Sequence, residues 1–180
     1  FQNLYIPIKP HFYKMGDARI YLCEGLKIKQ DSIFDFGEFY KRLFSWFEIM
    51  GYDFSEKGYE KYEMGNADNL KIFWEAEKVV DGYAKFVMEV GFFIVGFGKV
   101  EIEKDGLKIK TNKGTLEMRI TSYLVRDEGD KIKSSIGEAG RNFYEKFIIK
   151  QKLEDYEGQL YEELHMFFDE VKSFLSMHKF

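Results

Sequence analysis

The chain has 180 residues, 45% of them apolar, 18% aromatic and 32% charged, which is one domain's worth of sequence with enough apolar content to bury a core. Its 27 basic and 31 acidic side chains leave a net charge of −4, which argues against nucleic-acid binding driven by phosphate neutralisation. No window approaches the roughly 18 uninterrupted apolar residues of a membrane-spanning helix, so integral membrane association is excluded as an expectation.

A lone cysteine, Cys23, cannot form an internal disulfide, and a cytoplasmic protein is the expectation. The 22 Lys, 5 Arg and only nine Asn plus Gln give a thermophile-like composition. Leu4, Tyr5, Ile6 and Ile8, closed by Pro10, make residues 1–14 an N-terminal extension or an edge strand. Residues 15–180 read as a single α+β domain.

Alternation from Ala18 to Lys29 predicts a first strand. Ser32 then reads as an N-cap with Asp35 three residues on. Apolar positions at Phe36, Phe39, Tyr40, Leu43, Phe47 and Met50 predict a helix over Ser32–Met50, closed by Gly51. Tyr52–Asn69 shows no clear period and reads as a connector.

Three X-Gly dipeptides follow between β-rich runs: Asp81-Gly82, Asp105-Gly106 and Lys113-Gly114, each predicting a hairpin. A two-residue turn at Asp105-Gly106 faces Glu103 with Lys108, Ile102 with Ile109 and Glu101 with Lys110. One at Lys113-Gly114 faces Lys110 with Glu117 and Ile109 with Met118. Val100, Ile102, Leu107, Ile109, Leu116, Met118 and Ile120 then point inward. At Asp81-Gly82, a two-residue turn would bury Glu75 and Glu77 beside Phe86 and Met88. A three-residue loop places them with Lys85 and Glu89 and is favoured. Gly91, Gly96 and Gly98 mark bends in the run Tyr83–Lys104. After a polar stretch to Gly140, apolar positions at Leu153, Tyr156, Leu160, Leu164, Phe167, Val171 and Phe174 predict a long helix over 142–177.

The expected fold is therefore α+β: a curved antiparallel sheet of about six strands packed on a long C-terminal helix, with one further helix after the first strand. This element order resembles the helix-grip fold of the START/polyketide-cyclase-like superfamily over Arg19–Met177, on topology and not on a residue motif. The resemblance implies a curved sheet wrapped around the C-terminal helix and enclosing an apolar ligand cavity. The stretch Asp127–Gly140 and the helix Ser32–Met50 are both longer than that family's usual pattern.

Site signals are sparse. Glu162, His165 and Asp169 share a helix face, but a di-iron element needs a second copy that is absent, and a solvated polar face is the simpler reading. His11 and His178 read as surface side chains. Gly96-Phe97-Gly98 has strand on both sides and reads as a bend, not a phosphate loop. Glu75, Glu77 and Glu89 near Lys85 offer a carboxylate cluster for acid–base work, or simply a solvated sheet face. No cofactor and no metal site is expected.

The leading functional expectation is non-catalytic binding of a hydrophobic small molecule or lipid between sheet and helix, lined by Trp74, Phe86, Met88, Met118, Leu160, Leu164 and Phe168. A packed core would use the same residues. The alternative is a protein-interaction or homo-oligomeric assembly module using the surplus aromatics. A hydrolase-type enzyme with a carboxylate site at Glu75 and Glu77 comes third.

Overall fold

The computed structural model describes residues 19–65, 67–81, 84–104, 106–126 and 150–177. In chain order these form β1 (Arg19–Phe34), α1 (Phe36–Ile49), β2 (Asp53–Met64), β3 (Ala67–Val79), β4 (Ala84–Lys104), β5 (Leu107–Arg126) and α2 (Lys150–Met177). All strand pairs are antiparallel, and the order across the sheet is β1-β5-β4-β3-β2. The fold is α+β, with one helix after the first strand and one at the C-terminal side of the sheet. Residues 1–14 and the loop 127–140, both singled out above, lie outside the described residues, as do residues 142–149 of the expected long helix.

Among the described residues the sheet has five strands, not six: Ala84–Lys104 is one strand where the expected count has two, and two further differences offset each other. First, Lys113-Gly114 is not a turn. β5 runs unbroken through it, pairing Lys113 with Gly98 and Glu117 with Phe93, so the expected facing of Lys110 with Glu117 and Ile109 with Met118 is incorrect. Gly114 is there for close approach. A Cβ at that position would fall 2.9 Å from the Ile94 side chain, a contact real Cβ atoms do not make. Second, the expected connector contains a strand, β2. It lies at the sheet edge with most side chains in solvent, so it never needed an apolar alternation.

The other two hairpins match the sequence reading. Lys104 faces Leu107, Glu103 faces Lys108, Ile102 faces Ile109 and Glu101 faces Lys110. In the β3–β4 hairpin, Glu75 faces Glu89, and the Val80 amide donates to the Ala84 carbonyl at 2.9 Å. That register turns the carboxylates away from Phe86 and Met88. Leu116, Met118 and Ile120 are buried as expected, whereas Val100 and Ile102 are half-buried and Leu107 and Ile109 are exposed. The cause is length. The 28 residues of α2 extend about 42 Å, while the 21 residues of β4 can reach about 69 Å, so the β4–β5 tip outruns its cover.

Helix α1 is shorter than expected because β1 continues through Ser32, which pairs with Gly114, to Phe34, which pairs with Asn112. The N-cap is Asp35. Its carboxylate accepts from the Glu38 amide at 2.9 Å. At the other end Gly51 adopts φ 78°, the Gly51 amide donates to Glu48, and the Tyr52 amide donates to Phe47 at 2.9 Å. This pair of bonds is the Schellman arrangement, which turns the chain directly into β2.

Phe39, Leu43 and Phe47 of α1 and Leu160, Leu164, Phe167, Phe168, Val171 and Phe174 of α2 bury their apolar stripes against the inner face of the sheet. Helix α2 packs against β1, β5 and α1, and α1 packs against β2. No described helix is long and apolar enough to cross a membrane.

Candidate functional site

The inner face alternates along each strand. On β4 it presents Ala84, Phe86, Met88, Val90, Phe92 and Ile94; on β3 Leu70, Ile72, Trp74 and Ala76; on β5 Leu116, Met118, Ile120, Ser122 and Leu124. All seven residues expected to line a ligand cavity fall here or on the facing stripe of α2. Trp74, Phe86, Met88, Met118, Leu160, Leu164 and Phe168 belong to one apolar cluster, none more than 2% exposed. Aromatic rings fill the α1 side of this layer. The Trp74 ring centre lies 4.7 Å from that of Tyr40, 4.8 Å from Phe54 and 4.7 Å from Phe92, all edge-on.

Coverage thins toward β1. Leu22, Cys23, Leu26 and Ile28 pack against the cluster but are only half-buried. In the same half of the sheet, the buried atoms Ser122 Oγ, Gln30 Nε2 and Ser32 Oγ have no hydrogen-bond partner among the described residues. Ser122 itself is fully buried, facing Cys23 on β1 and Met88 on β4. A buried hydroxyl without a partner costs about 1–3 kcal/mol, so this inner face carries a polar demand that the described chain does not meet. The sequence offered no cue to it, because a Ser at an inward position looks like any other strand Ser.

Cys23 lies beside this area. Burial pushes its thiol up to about 11, away from the reactive thiolate, and its Sγ lies 3.8 Å from the Ile120 carbonyl. Iodoacetamide at pH 8 is expected to modify Cys23 slowly in the native protein and rapidly in urea. Equal rates would show that β1 opens freely.

A buried polar cluster ties α2 to β3. Glu163 is 3% exposed. Its carboxylate takes the Lys78 ammonium at 2.7 Å, the Tyr52 hydroxyl at 2.7 Å and the Gln159 amide at 3.0 Å. Burial first, then the Glu163 charge and hydrogen bond, hold the Tyr52 phenol far above its ordinary value. Every member is satisfied, so the cluster reads as a structural clasp.

The expected carboxylate cluster is assembled on the outer face, and each member has a partner. Glu75 meets Lys57 at 2.9 Å, Glu77 meets Lys85 at 2.8 Å, and Glu89 accepts from the Tyr123 hydroxyl at 2.8 Å. Burial first, then that bond, keep the Tyr123 phenol protonated well beyond its usual range. On the same face a shallow trough of about 320 Å³ is lined by Phe73, Phe93 and Gly91 together with Glu75, Glu89 and Arg119. The Arg119 guanidinium sits 5.3 Å from the Phe93 ring centre and is bonded to Glu117.

The helix histidine is placed as a packing residue. The His165 ring contacts Tyr161 with centroids 4.3 Å apart, while Glu162 and Asp169 lie exposed. No group of three or more His, Cys, Asp or Glu among the described residues could hold a metal ion. His11 and His178 lie outside the described residues. Gly96, with φ 68°, sits at a register shift in the β4–β5 pairing, as a bend requires.

Comparison with known proteins finds no matching family model, no matching curated protein and no matching solved structure.

Proposed function

We propose that this chain is a non-catalytic binding domain for a hydrophobic small molecule or lipid, held between the sheet and α2 and entering along β1. The observation that carries this reading is the inner face of β1 and β5. It is apolar, only half-covered at Leu22, Leu26 and Ile28, and holds at its base the Ser122 hydroxyl, which has no partner among the described residues. The ligand that fits is amphipathic, with an apolar body against the sheet and a hydrogen-bonding group that answers Ser122. The side chains farther in are closed on one another, so binding displaces some of them. Met88 and Met118, unbranched and adaptable, are the ones suited to move. The strand order, with β1 returning beside β5 and α2 across the inner face, supports the helix-grip resemblance and the START-like mode of binding that it implies. A cytoplasmic carrier suits the lone, protonated thiol.

Native mass spectrometry of freshly purified protein tests the reading. A bound mass that vanishes on denaturation is expected, and Leu164→Trp, which fills the interior, is expected to abolish it. Ser122→Val separates the hydroxyl's role from packing. It removes an unmet polar group, so the ligand-free protein gains about 1 kcal/mol while ligand retention falls. A wild-type chain that shows only its own 21.4 kDa mass, and takes up no added fatty acid or phospholipid, overturns the reading.

A further inference from the structure

Among the described residues β2 is the edge of the sheet, with β3 as its strand neighbour on one side. From Glu56 to Gly65 its residues are exposed apart from Gly58, and Tyr59, Tyr62 and Met64 present large apolar surfaces to solvent. Its charges are arranged symmetrically. Glu56 and Lys57 precede, and Glu60 and Lys61 follow, the peptide bond between Gly58 and Tyr59. Turned end for end about that bond, the strand is its own charge complement.

We infer that β2 is a self-pairing edge through which two copies of this chain join in one continuous antiparallel sheet. With the two-fold axis through the Gly58–Tyr59 bond, Glu56 faces Lys61 and Lys57 faces Glu60. Each pair occurs twice, giving four opposite-charge pairs, and no other register of the strand against itself matches as many. Ser55 then faces Tyr62, and Asp53 faces Met64, covering part of the exposed apolar surface.

The faces agree because of a bulge. In a regular strand this register would set residues from opposite faces against each other. In β2, Lys57 is an extra residue: Glu56 pairs with Trp74, and Gly58 already pairs with Phe73. Glu56 and Lys61 therefore both lie on the helix side, opposite inward-facing Trp74 and Leu70. Glu60 lies on the outer side opposite Lys71, and Lys57 reaches Glu75 on that side. The mismatch is confined to the centre, where Gly58 has no side chain to misplace. Bulges often serve to blunt an edge; here the bulge aligns one.

The pairing also extends ion pairs that each copy already holds. Lys57 is 2.9 Å from Glu75, and Glu60 is 3.9 Å from Lys71. Facing Lys57 with Glu60 of the second copy links them into an alternating row across the junction, in which no like charges meet. Edge-strand addition of this kind draws its affinity from main-chain hydrogen bonds and its register from side chains.

The test uses two single variants of the full chain in sedimentation velocity at low salt, where such charge pairs are least screened. Wild-type protein is expected to sediment as a dimer that weakens as salt rises. Lys57→Glu faces carboxylate with carboxylate twice, and Glu60→Lys faces ammonium with ammonium twice. Each is expected to raise the dissociation constant by about tenfold or more. Mixed in equal amounts, the two variants restore every opposite-charge pair and are expected to form a heterodimer close to wild-type strength. Thermal melts of each variant separate a folding defect from an interface defect, and recovery in the mixture cannot come from a misfolded chain. A monomeric wild type, a dimer indifferent to both variants, or a mixture no stronger than its parts overturns the inference.

Discussion

Lys78→Met and Glu163→Leu are each expected to shift the urea unfolding midpoint sharply downward, and the double variant to regain most of the loss. The two side chains meet at 2.7 Å between β3 and α2. The Glu163 side chain is nearly sealed from water, and that of Lys78 is 21% exposed. Removing either partner leaves the other charge in a poorly solvated site. Such losses run to about 3–5 kcal/mol for fully buried pairs, and the partial exposure of Lys78 puts this one at the lower end. Replacing both with apolar side chains removes the charges together, which is often neutral. Recovery stops short of complete because the Tyr52 hydroxyl, 2.7 Å from Glu163, then has nothing to donate to, and adding Tyr52→Phe is expected to close that gap. Midpoints and slopes from urea titrations of the four variants measure this directly. Additive losses would mean that Lys78 and Glu163 act separately, and that the clasp is not what fastens α2 to the sheet.

The parts of this fold that were legible in the sequence are those where local chemistry and long-range packing agree. The Glu101–Lys110 and Glu103–Lys108 facings followed from charge and polarity alone, and the structure has them. The stripe of α2 and the glycine at the end of α1 were legible for the same reason: helical period and positive φ are local properties. The misread elements are those where a long-range contact sets the meaning of a local signal. Gly114 is a glycine because Ile94 lies against it on the neighbouring strand, and no neighbouring residue in the chain reports that. Ser32 is a competent cap that never caps, because pairing with β5 carries β1 past it to Asp35. β2 was invisible as a strand since, past Phe54, both of its faces are wet and leave no apolar period. Its charge order, which did lie open in the sequence, gains meaning only once the strand is known to be an edge. The seven candidate lining residues lie in one buried apolar cluster. Residue type alone could not distinguish a wall from a filling, nor show that Gln30, Ser32 and Ser122 place unmet polar atoms on β1 and β5.

Trp74→Ala is expected to lower the melting temperature by about 10 °C, and Trp74→Phe by much less. Trp74 is 2% exposed and stands where α1, β2 and β4 meet: its ring touches Tyr40 of α1, Phe54 of β2 and Phe92 of β4. Its indole N–H points to Glu56 at 3.4 Å, a long bond whose loss in the Phe variant is a small cost. Truncating a buried Trp removes its transfer free energy and leaves a hole that rigid neighbouring rings cannot close, a loss of about 3–5 kcal/mol. For a chain of this length each kcal/mol moves the midpoint by about 2–4 °C, which gives the expected drop. Ligand retention decides what the loss means. If the ligand lies toward β1, the Ala variant loses stability but still carries it, because the damage is on the far side of the layer. If the ligand instead rests on Trp74, the Ala variant loses stability and the ligand together. The packing geometry favours the first outcome: three rings already occupy the space around the indole that such a ligand would need.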